Sequence, residues 1–152
     1  MKQTITPFLW FDDNAEAAME FYGSIFTDHK VINVARGGDG KAFMFEFELN
    51  GQRFMGLNGG PQFSFTEAVS FFVSVETQDE VDELWEKLSA GGEAGQCGWL
   101  KDKFGLSWQI VPTALGELMG DPDPAKAGRV REAMMKMTKI EIAQLQQAHD
   151  QA

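Results

Sequence analysis

Cysteine, histidine and basic residues are all scarce in this chain, and each shortage excludes something. Cys97 stands alone among 152 residues, so no internal disulfide can form and a reducing compartment suits the protein. No nearby base or cation in the sequence pattern activates its thiol, and the residue reads as structural. His29 opens a strand pattern and His149 lies in a polar tail, so both read as exposed rather than ligating. Thirteen Lys and Arg against 23 Asp and Glu leave a formal charge of −10, a field that repels phosphate backbones. The basic residues nearest to a cluster, Lys126, Arg129, Arg131, Lys136 and Lys139, are spread along a helical pattern with Glu132 and Glu141 among them. Nucleic acid is therefore not an expected partner. No apolar run approaches the ~18 residues of a membrane span, and the N-terminal stretch lacks the apolar region of a signal peptide. A cytoplasmic protein with no membrane partner is the expectation. Hydrophobic residues at 43% and charged ones at 24% are ordinary for a folded globular chain of one domain.

What is present is a repeated grammar. Residues 5–11 form a short apolar and aromatic run before Asp12 and Asp13, which predicts a strand meeting a helix start. Over 15–26, Ala18, Phe21, Tyr22 and Ile25 fall at helical spacing, with Asp13 or Asn14 placed to cap the first turn. Three strands follow, at 29–35, 41–49 and 52–58, separated by Gly37-Gly38-Asp39-Gly40 and by Asn50-Gly51. In the middle one Phe43, Phe45, Phe47 and Leu49 alternate with Met44, Glu46 and Glu48, giving an apolar side and a side that becomes charged and solvated.

After Gly59-Gly60-Pro61 the order begins again. A Phe- and Val-rich strand at 69–75 precedes a helix whose Thr77 and Glu80 make a capping box, with Val81, Leu84, Trp85 and Leu88 on one side. Asn14 and Thr77 correspond, as do the two apolar stripes, position by position. Short strands near 97–101 and 106–111 complete the second round. Beyond Pro112 the spacing predicts a short helix at 115–119, a break at Asp121-Pro122-Asp123-Pro124 and a helix from Ala125 onward. Val130, Met134, Met137 and Ile140 form its apolar side, which must be buried on the domain or on a partner chain. Residues past Gln146 read as a frayed polar end.

Five strings narrow the field: ITPFLWF, the helix ending FYGSIF, FMGLNGGPQF, SFFVSVETQDEVDELWEKL and CGWLKDKFGLSWQIVP. With the doubled order they resemble the glyoxalase/bleomycin-resistance/dioxygenase superfamily, the vicinal oxygen chelate proteins. Within it the chain is similar to the PhnB-like group labelled demethylubiquinone-methyltransferase-like. The resemblance implies an α+β fold in which two βαβββ modules, residues 1–60 and 61–112, build a curved mixed sheet around a cup. Residues 113–152 are then a C-terminal helical extension of this single domain. It also implies a homodimer, which the apolar stripe of the tail supports.

Metal-dependent members of the superfamily place His or Glu ligands on the first and last strands of each module. The resemblance puts Thr6 and Ser70 at two of those positions, Gln109 in place of the terminal glutamate, and the fourth between Phe54 and Asn58, where Asn58 is the plausible oxygen donor. Hydroxyls and carboxamides are poor substitutes for imidazole or carboxylate around zinc, iron or manganese. No metal and no cofactor are therefore expected. The four groups suit hydrogen bonding to an uncharged or carbonyl-bearing ligand, with Phe72 and Trp99, and also Trp10 and Trp108, as aromatic lining. Capping a strand or satisfying backbone is the competing role for each. The group's label implies methyl transfer, but the turn from first strand to first helix, Phe11-Asp12-Asp13-Asn14, lacks the glycines of a nucleotide-binding turn, and Gly37–Gly40 joins two strands.

The expected function is metal-independent binding of a small organic molecule, with or without turnover. The alternatives are a metal-dependent enzyme of glyoxalase or dioxygenase type, a sequestering protein of bleomycin-resistance type, and a demethylubiquinone methyltransferase.

Overall fold

The computed structural model describes residues 4–151, which divide into two compact units, 4–65 and 66–151. The first contains β1 (Phe8–Phe11), α1 (Ala15–Ile25), β2 (His29–Arg36), β3 (Ala42–Leu49) and β4 (Gln52–Asn58). Its sheet has the order β1-β4-β3-β2, with β1 parallel to β4 and the other pairs antiparallel. Strand alternation sorts the side chains onto two faces. Leu9, Phe11, Phe45, Phe47, Leu49 and Phe54 are buried, and α1 adds Ala15, Ala18, Met19, Tyr22 and Ile25 to the same core. Asn50 and Gly51 both have positive φ, 48° and 82°, as the two-residue turn joining β3 to β4 requires.

β1 is shorter than the apolar run suggests. It starts at Phe8 because Pro7 has no N–H for the ladder, although Pro7 still accepts a hydrogen bond from Met55 N at 2.9 Å. Thr6 consequently lies just outside the strand, half-buried.

The second unit repeats the order with β5 (Ser70–Val75), α2 (Gln78–Ser89), β6 (Glu93–Ala94), β7 (Trp99–Lys101) and β8 (Ser107–Pro112) in a sheet ordered β5-β8-β7-β6. Again the outer strand β5 runs parallel to its neighbour, β8. Thr77 caps α2 as expected: its hydroxyl accepts from Glu80 N at 3.2 Å, and Glu80 accepts from Thr77 N at 3.1 Å. Leu100, Trp108 and Ile110 are buried on the α2 side with Val81 and Leu88. Within that core the Asp102 carboxylate accepts from Phe104 N, Leu106 N and Trp108 Nε1 at 2.8, 3.1 and 2.9 Å, fixing the β7–β8 turn.

The tail belongs to this second unit. It forms α3 (Thr113–Met119), α4 (Pro124–Met135) and α5 (Ile142–Asp150). Asp123 caps α4 by accepting from Ala125 N at 2.9 Å, with Pro124 in the first turn, where a missing N–H costs nothing. Where one helix from Ala125 onward was expected, the chain turns after Met135. A straight helix would spread Val130 to Leu145 over about 22 Å, whereas the turn gathers Val130, Met137, Ile140 and Leu145 around Val111 and Leu115 in one core. The apolar stripe is thus covered by the chain itself, and support for a homodimer rests on family likeness alone.

The expected fraying past Gln146 is also corrected. Arg129 donates to Ala148 O, His149 O and Gln151 O at 2.9, 3.1 and 2.6 Å, tying down the C-terminal carbonyls of α5. His149, whose side chain is only 16% exposed, contacts Asp121 Oδ2 through Nε2 and Asp150 Oδ1 through Nδ1, each at 2.8 Å. Both carboxylates hold the imidazole above its ordinary value of 6.5, Asp150 more than Asp121.

Candidate functional site

The face of the second sheet turned away from α2 carries Ser70, Phe72 and Ser74 from β5, Trp99 and Lys101 from β7, and Ser107, Gln109 and Val111 from β8. Register makes this a compact set, because Gln109 pairs with Phe72 on one side and with Trp99 on the other. Gln109 Nε2 donates to Ser70 Oγ at 3.0 Å across the parallel pair. That is the single hydrogen bond of the Gln109 side chain among the described residues, so its carbonyl oxygen and second N–H remain to meet a guest.

Above this floor lies an open groove of about 650 Å³, within the usual range for small-molecule sites. Phe72, Trp99 and Gln109 line one side, and Leu115, Met119 and Met134 the other. Phe72 is 59% exposed, a large apolar ring offered to solvent at the groove rather than packed in a core. Cys97, read from sequence as a buried thiol, is half-buried and opens on the groove. Its φ of 58° is a left-handed conformation rare for a non-glycine residue. The turn is held by Cys97 N and Gly98 N, which donate to Met137 O and Thr138 O at 2.8 Å each. Gly98 itself, at φ 85°, has a conformation that side chains rarely adopt, and a Cβ there would press on Ile110 O and the Ile140 side chain at 3.1 Å.

Beyond Trp99 the same face continues into a depression of about 350 Å³ bordered by Lys101, Glu67 and Ser107. Lys101 is ion-paired with Glu67. The hydrogen bond between them lowers the carboxyl below its ordinary range and raises the ammonium, so this end of the face presents a neutralised pair. Ser107 is fully buried, and its Oγ has no hydrogen-bond partner. Sequence reading missed Ser107 and Lys101, although alternation from Gln109 and Trp99 would have placed both on the open face. It also missed Leu115, Met119 and Met134, whose helical spacing signals a buried stripe and carries no mark of a groove.

The other expected site residues fall elsewhere. Asn58 pairs with Phe11 and lies on the α1 side of the first sheet, so it is not a group of the open face. Its Oδ1 accepts from Ala15 N at 2.9 Å and its Nδ2 donates to Ala42 O at 3.1 Å, which engages both ends of the carboxamide. Asn14, at the N-cap of α1, makes no side-chain cap, and the helix's first amide is satisfied by Asn58 instead. Trp10 is on the opposite face from Leu9 and Phe11, donating to Gly60 O at 2.9 Å and meeting Phe63 edge-on at 5.0 Å. Trp108 is 3% exposed in the α2 core and lines nothing. Glu46 is paired with Arg53 at 3.3 Å.

Among the described residues, no group of three or more His, Cys, Asp or Glu side chains could hold a metal ion. Ser70 and Gln109, two of the positions at which ligands were expected by resemblance, are hydrogen-bonded to each other and bring no charge to offset that of a divalent cation. This donor set does not fit a chelated metal.

Two four-stranded mixed sheets, each preceded in its parallel pair by a strand–helix connection, define an α+β protein of the glyoxalase/bleomycin-resistance fold. The chain belongs to the family described as 3-demethylubiquinone-9 3-methyltransferase, whose model matches residues 3–111. It is similar to the PhnB protein from Bacillus cereus, with 35% identity and a TM-score of 0.68 over 72% of this chain and 99% of that one. A glyoxylase/bleomycin resistance protein/dioxygenase domain from Frankia sp. EAN1pec shares the fold at 18% identity and a TM-score of 0.53, over 74% of this chain and 93% of that one. The fosfomycin resistance protein FosX from Listeria monocytogenes, complexed with Mn(II) and sulfate, does so at 16% identity and a TM-score of 0.53, over 74% and 91%. No curated protein matches the chain. No helix among the described residues is long and apolar enough to cross a membrane.

Proposed function

We propose that the open face of the second sheet binds a small uncharged organic molecule through hydrogen bonds to Gln109, without a metal chelated by the protein. The observation that carries this is the Ser70–Gln109 bond beneath the exposed ring of Phe72 and beside Trp99. An aromatic platform with one convergent, half-satisfied carboxamide suits a flat or apolar body bearing a carbonyl or hydroxyl. An anionic ligand fits poorly, because Lys101 on this face is already paired with Glu67 and the chain carries −10 overall. Thr6 and Asn58, both in the first unit, are left out of this reading.

The family's printed name raises methyl transfer as a second activity. An adenosyl methyl donor is commonly held at a glycine-rich turn between a strand and a helix, and the turn between β1 and α1, Phe11-Asp12-Asp13-Asn14, contains no glycine. The tight turn between β2 and β3, where Gly40 N donates to Gly37 O at 3.0 Å, joins two strands. Binding, with turnover open to assay, is the reading preferred here. A homodimer in the cytoplasm is the proposed state, to be checked by sedimentation.

The test is a thermal-shift screen of neutral carbonyl and phenolic compounds against the wild-type chain and the Gln109→Ala and Ser70→Ala variants. A ligand that binds only the native state raises the melting point. Removing Gln109 should weaken a hit about five- to tenfold, the value of roughly one hydrogen bond. Hits unaffected by both substitutions would assign the pair a structural role.

A further inference from the structure

The family model stops at residue 111, and α3 begins at Thr113. The helices that follow are an addition to the matched part, yet they are not remote from the site. Val111, the last open-face residue of β8, shares one core with Leu115, Val130, Met137, Ile140 and Leu145. Docked in this way, α3 and α4 stand as a wall along the groove and present Leu115, Gly116, Met119 and Met134 to it. Without that wall the face would be an aromatic patch with a carboxamide; with it, the face opens into a trough about 650 Å³ in volume.

We infer that this wall receives the apolar tail of an elongated, uncharged small molecule whose carbonyl or hydroxyl head is held at Gln109. The inference rests on the binding reading above and extends it to the ligand's shape and charge. The lining is graded, with the carboxamide of Gln109 on the sheet and aliphatic and thioether side chains on the helices. Thioethers are flexible and polarizable, so Met119 and Met134 adapt to tails of different outline. Glu117 also lines the groove and is exposed, and with the overall charge of −10 it disfavours a fatty carboxylate or any other anion. At Gly116 a Cβ would meet nothing within 4 Å, so the wall holds open space.

The test measures affinities of the full-length chain for straight-chain alkyl phenyl ketones from acetophenone to octanophenone, with 8-phenyloctanoate as the anionic comparator. The expected result is a gain of about fourfold per added methylene over the first several carbons, the transfer value of a buried CH₂. The carboxylate should bind at least tenfold more weakly than octanophenone. Gly116→Leu fills the wall's open space while replacing glycine by a better helix former. It should bring the ratio of octanophenone to acetophenone affinity towards one, with Gly116→Ala intermediate. Affinity independent of tail length, a preferred carboxylate, or a ratio unchanged in Gly116→Leu would overturn the inference and leave the head-group site standing. Failure of every ketone to bind, acetophenone included, would overturn the site and the inference together.

Discussion

Asn58 and Gln78 perform the same task in their respective units. Each accepts the first amide of a helix that begins far away in sequence: Asn58 Oδ1 takes Ala15 N at 2.9 Å, and Gln78 Oε1 takes Ile142 N at 2.7 Å. Each also donates to a distant carbonyl, Ala42 O and Ile140 O. Asn58→Ala should therefore destabilise the chain by about 1–3 kcal/mol, because two half-buried backbone groups lose partners. Asn14→Ala should cost under ~0.5 kcal/mol, since no side-chain cap is lost. Urea midpoints of the two variants check the contrast. Local chemistry in the sequence offers Asp13 or Asn14 as the cap, and the polar character of Asn58 is legible there while its direction is not. Direction depends on strand parity: Leu57, one residue earlier, points away from α1, and no residue type announces which of the two faces the helix. Gln109 was legible for the opposite reason, since its apolar neighbours Trp108 and Ile110 mark the core side and leave it the other.

Helix starts with a local signature were read correctly. Thr77 and Glu80 form the capping box that their spacing predicts, and Thr77→Ala should cost about 1 kcal/mol, read from thermal unfolding. The tail was harder, because one apolar stripe is compatible with one long helix or with two shorter ones folded around a common core. At its end His149 bridges Asp121, before α4, and Asp150, in α5. The imidazole titrates above 6.5, so its contribution to holding α5 is complete below 6.5 and is lost as pH rises through the raised value. Asp121 is held below 3.8, mainly by the amide of Asp123 and then by His149, and Asp150 mainly by His149. Their contributions are complete above 3.8 and are lost as pH falls through the lowered values. Hydrogen exchange of α5 amides, corrected for intrinsic rates, should show protection falling on the alkaline side, and His149→Gln should flatten that slope.

On the scale of the whole molecule, the doubled strand–helix–strand order came from periodicity, and the superfamily from particular strings. Neither could give the groove's second wall, because Leu115, Met119 and Met134 serve a core and a surface at once. Sequence alone also favoured Asn58 as one member of a ring of neutral groups, whereas Asn58 is bonded to backbone in the first unit and the second sheet brings Ser70 and Gln109 together. Ser70 and Gln109 are a hydroxyl and a carboxamide by sequence, and in the fold they are hydrogen-bonded to each other across β5 and β8.

The direct measurement is calorimetric binding of octanophenone to the purified chain before and after exhaustive chelation with EDTA. Affinity unchanged by the chelator and weakened about five- to tenfold in Gln109→Ala is the predicted result. Binding that disappears with EDTA and returns with manganese, iron or zinc would contradict it.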